Sequence, residues 1–361
     1  MYRKIMGFLE AWKESEHRKP LILQGARQVG KTYSILEFGR THYENVAYFN
    51  FETNPKLNET FEENISPDYL IPILSHIAGQ TIVTEKTLIV FDEVQLCERA
   101  LTSLKYFCEN APDYHIIVAG SLLGVAVNRA KFSFPVGKVD MKTLYPMDME
   151  EFMLALGEDD LVEQIKKCFQ TDTPLPSALH DAAMQLYRQY LVVGGMPECV
   201  MQFAETKDYI LVRHTQDTIL ASYLNDMSKY NNLNEIKKTR LAYDNITVQL
   251  SKKNTRFQYK LIKKGGRASE FENAIEWLCL SGIVSQVYKV EQIKKPLENY
   301  RDIDAFKIYV SDLGLLCAKK DLAANDILYM VEEINDFKGG MAENYVCLLY
   351  TSPSPRDTER S

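Results

Sequence analysis

Three things are scarce in this 361-residue chain, and each scarcity excludes a class of protein. The seven cysteines stand at 97, 108, 168, 199, 279, 317 and 347, and no two form a close pair such as CxxC. A disulfide framework or a structural zinc site needs paired spacing, so reduced, buried thiols of a cytosolic protein are expected. The six histidines are scattered too and offer no metal-ligand spacing. No stretch approaches the ~18 apolar residues that span a bilayer. The N-terminus has a charge but no long apolar run behind it, because Glu10, Lys13 and Glu14 interrupt it, which reads against a secretory leader. The expected location is cytoplasmic, with no membrane contact.

The composition that remains is ordinary for a soluble globular protein, with 46% apolar and 25% charged residues. Its length suits two or three domains. The net charge of −7 is unevenly spread. Residues 228–301 hold 15 basic against 7 acidic side chains, and the rest of the chain holds 27 against 42. A basic module joined to an acidic one is one explanation, and a solvated face is the plainer one.

Strand and helix signals alternate through the first 145 residues. Leu21–Leu23, Asn45–Phe51, Thr87–Phe91 and His115–Ala119 are short apolar runs that read as strands. Thr32–Arg40 and Arg99–Asn110 read as helices. This pattern predicts an α/β fold, a mostly parallel sheet with helices on both faces. Beyond residue 145 the chain reads as helical, over Met147–Leu156, Asp181–Val192 and Asp208–Asp226, with a strong breaker at Gly194-Gly195-Met196-Pro197. Ala268–Leu280 reads as a further helix, followed by strand candidates at Ile283–Val290 and Ala305–Val310.

Gly25-Ala26-Arg27-Gln28-Val29-Gly30-Lys31-Thr32 satisfies G-x-x-x-x-G-K-[ST] between a strand and a helix. Glycine lets the backbone curl so that successive N–H groups face an anion, and the helix N-terminus adds partial positive charge. Lys31 is placed to reach the β- and γ-phosphates of ATP, and the Thr32 hydroxyl to ligate Mg²⁺. The expected nucleotide contacts are Gly25, Gln28, Val29, Gly30, Lys31, Thr32 and Tyr33. Leu88–Phe91 would bury a central strand that ends in Asp92-Glu93. Asp92 suits the metal shell, and Glu93 suits the base that polarises a water for in-line attack. Ser121, after His115–Ala119, is either a γ-phosphate contact or a strand-to-turn residue. Glu52 is a further acid near the metal, with a surface acid the plainer reading.

In their order, RKPLILQGARQVGKT, YFNFE, LIVFDEVQ, AGSLLG, SFPVGKV, PMDMEEF and GGMPE resemble a family of prokaryotic ATPases. That family belongs to the AAA+ superclass, near its archaeal-type branch. The resemblance implies the same Walker A and Walker B residues and a sensor role for Ser121. The family often has arginine where Lys138 stands, which leaves an arginine finger there without its residue; Arg129 is the nearest other arginine. The resemblance also implies a winged helix in residues 228–311 and a C-terminal nuclease-like domain beginning near Asp312. The later acidic and lysine motifs of that domain do not follow, so a truncated domain over 312–350 and a disordered tail over 351–361 are expected. A helix beginning near Gly340 should bury Tyr345, Val346, Leu348 and Leu349 against a sheet, and in a truncated domain without that sheet these residues should be exposed or loosely packed.

The expected function is a Mg-ATP-dependent ATPase or switch, with residues 1–145 as the ATPase domain and 146–227 as a helical lid. The alternative is an ATP-regulated nucleic-acid-binding protein acting through the basic residues of 228–267. A protein partner or a homo-oligomer is a further possibility.

Overall fold

The computed structural model describes residues 1–120, 135–229, 233–252, 254 and 256–351. Its contacts divide the chain into two compact units. One runs from Arg3 to Tyr145, and the other starts at Pro146 and includes Met1–Tyr2.

The first unit is built on five parallel strands, β1 (Leu21–Gln24), β2 (Asn45–Asn50), β3 (Thr87–Asp92), β4 (His115–Ala119) and β5 (Asp140–Thr143), in the order β2-β3-β4-β1-β5. The helices α1 (Ile5–Lys13), α2 (Lys31–His42), α3 (Lys56–Glu63), α4 (Pro67–Ala78) and α5 (Glu98–Asn110) alternate with them. Every residue of β3 and β4 is buried, which is why both read as unbroken apolar runs. Phe91 of β3 anchors one side of the core, meeting the rings of Phe49, Phe51 and Phe61 at centroid distances of 6.0, 5.9 and 5.5 Å. Such tilted and edge-on contacts favour the aromatic quadrupole. The strand that sequence reading misses is β5. Its residues Asp-Met-Lys-Thr are half-buried or exposed at the sheet edge, so no apolar pattern marks it.

The second unit opens with α6 (Met149–Ala155), α7 (Asp159–Gln170), α8 (Ser177–Val193), α9 (Pro197–Thr206) and α10 (Tyr209–Lys229). A reciprocal capping box fixes the start of α6: Asp148 accepts from the Glu151 N–H at 2.9 Å, and Glu151 accepts from the Asp148 N–H at 3.2 Å. There follow α11 (Leu233–Ser251), α12 (Tyr259–Ile262), α13 (Ala268–Leu280) and an antiparallel hairpin of β6 (Val284–Val290) and β7 (Arg301–Val310). The unit closes with α14 (Leu313–Lys319), α15 (Ala324–Leu328) and α16 (Asn335–Thr351).

The Gly194-Gly195 breaker is the joint of this unit. The Gly195 N–H donates to Asp312 Oδ2 at 2.5 Å, and the Gly195 carbonyl accepts from Met147 N at 2.6 Å. A Cβ on Gly195 would stand 1.9 Å from the Met147 carbonyl oxygen, so no larger residue fits. Asp312 also caps α14, accepting from Leu315 N at 2.8 Å. Burial pushes its carboxyl up to about 6, against the pull of the backbone donors of Leu315, Gly195 and Gly314.

α16 starts at Asn335, ahead of Gly340, because the two glycines are carried inside the helix. Asn344 is fully buried and bonds both Val310 N and Val310 O at 2.9 Å, completing the hydrogen bonding of β7. Tyr345 packs against Tyr187 at 4.9 Å, while Val346 and Leu349 remain 48% and 47% exposed.

Candidate active site

The loop between β1 and α2 wraps the position a phosphate would take. Gly25 and Gly30 hold φ values of 145° and 90°, and Gln28 is left-handed at 65°. A Cβ on Gly25 would lie 2.2 Å from the Leu144 carbonyl oxygen, so the loop's first position admits glycine alone. Arg3, a buried cation that sequence reading misses, braces the loop from beneath. Its guanidinium donates to the Val29 carbonyl at 2.9 Å and to the Tyr145 carbonyl at 2.8 Å. Turning the Val29 carbonyl toward Arg3 leaves the N–H side of the loop for an anion.

Lys31 opens α2 and is buried. Its ammonium is folded back onto the loop, donating to the carbonyls of Gly25 at 2.9 Å and Ala26 at 2.7 Å. Burial pushes its pKa down to about 8; Glu93 and Asp92 oppose that shift, and Arg27 adds to it. Thr32 Oγ1 donates to Asp92 Oδ2 at 2.9 Å, which joins the two halves of the site. Val29 is fully buried, whereas Tyr33 is 54% exposed.

Asp92 and Glu93 leave the end of β3. The Tyr48 hydroxyl donates to Asp92 Oδ2 at 2.7 Å, and Asn50 donates to the Tyr48 oxygen at 3.2 Å. Burial, with the Asp92 bond added, raises the Tyr48 phenol to about 12, so it stays a donor at physiological pH. Tyr48 and Asn50 are also new from the structure. The alternation of β2, with Ala47 and Phe49 buried, places both on the opposite face, and Asn50 pairs with Asp92 in the strand register. Glu93 is half-buried and takes a left-handed backbone at φ 52°. Gln95 Nε2 donates to Glu93 Oε2.

β4 lies between β1 and β3, so its end at Ala119-Gly120 sits between the loop and Asp92. Ser121 and Arg129 fall outside the described residues. Glu52 is exposed, and Lys138 pairs with Glu109 at 3.0 Å.

A Mg²⁺ ion fits this donor set. Thr32 Oγ1 and Asp92 Oδ2 are hard oxygen donors already converging on one point. Mg²⁺ is commonly held by one or two protein oxygens, with substrate phosphates and water completing the octahedron. Among the described residues, no group of three or more His, Cys, Asp or Glu side chains is placed to hold a metal on its own.

Residues 17–153 match the family described as AAA domain. The N-terminal unit has the AAA-type P-loop ATPase fold. Residues 184–326 match a domain of unknown function, DUF8612. Among solved structures, the chain is similar in fold to the Walker-type ATPase of Pyrococcus abyssi, with a TM-score of 0.54 and 13% identity, over 88% of this chain and 95% of that one. The Aeropyrum pernix ORC2 protein, solved in ADPNP-ADP complexes, aligns at a TM-score of 0.43 and 13% identity over 94% and 95% of the two chains. Nothing matches among curated proteins. No helix among the described residues is long and apolar enough to cross a membrane.

Proposed function

We propose that the N-terminal unit binds ATP with Mg²⁺ and hydrolyses it to ADP and phosphate, acting as a nucleotide-driven switch. The observation that carries this is the meeting of Thr32 and Asp92 at 2.9 Å beside a phosphate loop, with Glu93 next in the chain. Lys31 leaves the Gly25 and Ala26 carbonyls and moves its charge to the β- and γ-phosphates. Thr32 and Asp92 would hold Mg²⁺, which would neutralise phosphate charge. Glu93 accepts a proton from the attacking water. Gln28, Val29 and Gly30 offer backbone N–H groups to the phosphates, and Tyr33 lies at the solvent side of the bound nucleotide. Ser121 is assigned the sensor role.

A phosphate-release assay with purified protein and Mg-ATP tests this directly. Release above background that disappears in Lys31→Ala supports it; no nucleotide binding by the wild type refutes it.

A second function, nucleic-acid binding, draws on the basic region. The order of α11, α12 and α13 followed by the β6–β7 hairpin supports a winged-helix reading. The outer face of α13 carries exposed Glu272, Asn273 and Glu276, which repels a phosphate backbone. Lys237, Lys238 and Lys263 border an open cleft of about 1090 Å³, but Lys238 pairs with Glu235 at 2.8 Å and Lys263 with Glu270 at 3.2 Å. Among the described residues, the exposed basic positions left to meet DNA include Lys252, Arg256, Lys264 and Arg267 in the turns flanking α12, with Lys237 and Lys260 on the helices beside them. Any contact is therefore proposed through the turns flanking α12, not through α13 lying in a groove.

A further inference from the structure

The turn after β3 carries a polar side chain that the roles above leave unused. Glu93 holds a left-handed backbone, which a non-glycine residue keeps only where its surroundings over-determine it. The short 3-10 turn Val94–Leu96 fixes it: Val94 is fully buried, and Leu96 N donates to Glu93 O at 3.0 Å. This turn brings Gln95 back beside the Glu93 carboxylate, where its amide nitrogen donates to Oε2. Only the NH₂ end of an amide can face a carboxylate, so the orientation is set by chemistry. The consequence falls on the other end. Gln95 Oε1 is buried and accepts no hydrogen bond. An orphaned buried acceptor costs about 1–3 kcal/mol, and native folds rarely keep one without a reason.

We propose that Gln95 is a positioning residue for Glu93, fixing the direction in which the carboxylate faces the attacking water. The inference rests on Glu93 acting as the base. In that step the water oxygen bonds to the γ-phosphorus as the bond to the β,γ-bridging oxygen breaks. The electron pair leaves on ADP, and the water proton passes to Glu93. Gln95 touches none of these atoms. It acts by holding one oxygen of the carboxylate, and a misplacement of about 1 Å can cost on the order of 100-fold in rate.

The test is single-turnover and steady-state hydrolysis of Mg-ATP by wild type, Gln95→Ala, Gln95→Glu, Glu93→Gln and the Gln95→Ala/Glu93→Gln double variant. Affinity for a fluorescent ATP analogue and the melting temperature are measured on each. Gln95→Ala should lower kcat by about tenfold or more, with KM and nucleotide affinity held within about twofold. Gln95→Glu has nearly the same size and sets a like charge against Glu93, so it should lower kcat similarly without loss of fold. In the Glu93→Gln background, Gln95→Ala should cost less than about twofold, because the group it positions is already gone. The inference is overturned by a Gln95→Ala kcat equal to wild type. It is overturned equally by the same fold-loss in both backgrounds, or by affinity falling as far as kcat. If Glu93→Gln hydrolyses ATP like wild type, the base assignment fails and the inference goes with it. If Glu93→Gln is slow while Gln95→Ala is not, the inference alone fails.

Discussion

The Thr32 hydroxyl and the Asp92 carboxylate stand 2.9 Å apart, joined across the end of the sheet by a direct hydrogen bond. Asp92 Oδ2 accepts from Tyr48 as well, at 2.7 Å, so its orientation is set from two sides. Asp92→Asn should raise the Mg²⁺ concentration needed for half-maximal hydrolysis, because it removes the ligand charge. Tyr48→Phe removes only the outer bond, and loss of such an outer-shell partner typically costs about tenfold or more in metal affinity. A magnesium titration of phosphate release checks both. An unchanged half-saturation point in Asp92→Asn would remove the aspartate from the metal site.

Lys31 ties nucleotide affinity to pH. Its pKa is lowered to about 8 by burial. Above that value the ammonium loses its proton, while bound phosphates favour the charged form. ATP affinity should therefore fall as pH rises through about 8, with proton uptake on binding. Calorimetry in buffers of differing ionisation enthalpy reads this directly. Lys31→Ala should abolish tight binding and with it the pH dependence. Affinity that stays level from pH 7 to 9.5 would argue against a depressed Lys31.

The phosphate loop and the strand ending in Asp92-Glu93 are legible in the sequence because local rules govern both. Four glycine, lysine and threonine positions define the loop, and a fully buried β3 shows as a run of apolar residues. The Ala268–Leu280 helix is legible because its buried Phe271, Ala274, Ile275 and Leu278 follow the helical period, and the second hairpin strand because Ala305–Val310 is a largely buried apolar run. Arg3, Tyr48 and Gln95 are not legible. Arg3 reaches a carbonyl 26 residues away and Tyr48 a carboxylate 44 away, and no local pattern marks either contact. The helix Pro197–Thr206 is hidden for another reason. Its proline reads as a breaker, yet at the first position of a helix proline is favoured, since its missing N–H would have no partner there.

Asp312 ties the stability of the second unit to pH, favouring the native state on the acid side. Its native pKa is raised from 3.8 to about 6. Between those values the native state holds a proton that the unfolded chain has released, so stability falls as pH rises across the window. A shift of this size corresponds to at most on the order of 3 kcal/mol. Urea midpoints of wild type relative to Asp312→Asn should therefore decline from pH 4 to pH 6 and then level off. A relative midpoint that rises over that range would contradict the assignment. Asp312→Ala strands the Gly195 and Leu315 N–H groups and should cost about 2 kcal/mol or more at any pH.

The basic turns are tested by salt. If Lys252, Arg256, Lys264 and Arg267 meet phosphates, the logarithm of DNA affinity should fall linearly with the logarithm of salt, with a slope of about −0.9 per contact. Each charge reversal among them should flatten that slope by about one contact. No binding to duplex or single-stranded DNA at low salt would remove the nucleic-acid reading and leave the ATPase assignment intact.

The most direct test of an ATP-hydrolysing site is Glu93→Gln, measured for nucleotide retention and phosphate release on the same sample. Removing a general base typically costs about 10²–10⁴ in rate while leaving the phosphate loop, Thr32 and Asp92 in place. The variant is therefore expected to bind Mg-ATP as tightly as wild type and to release phosphate at least about tenfold more slowly. Phosphate release at the wild-type rate with ATP equally well bound would contradict the account.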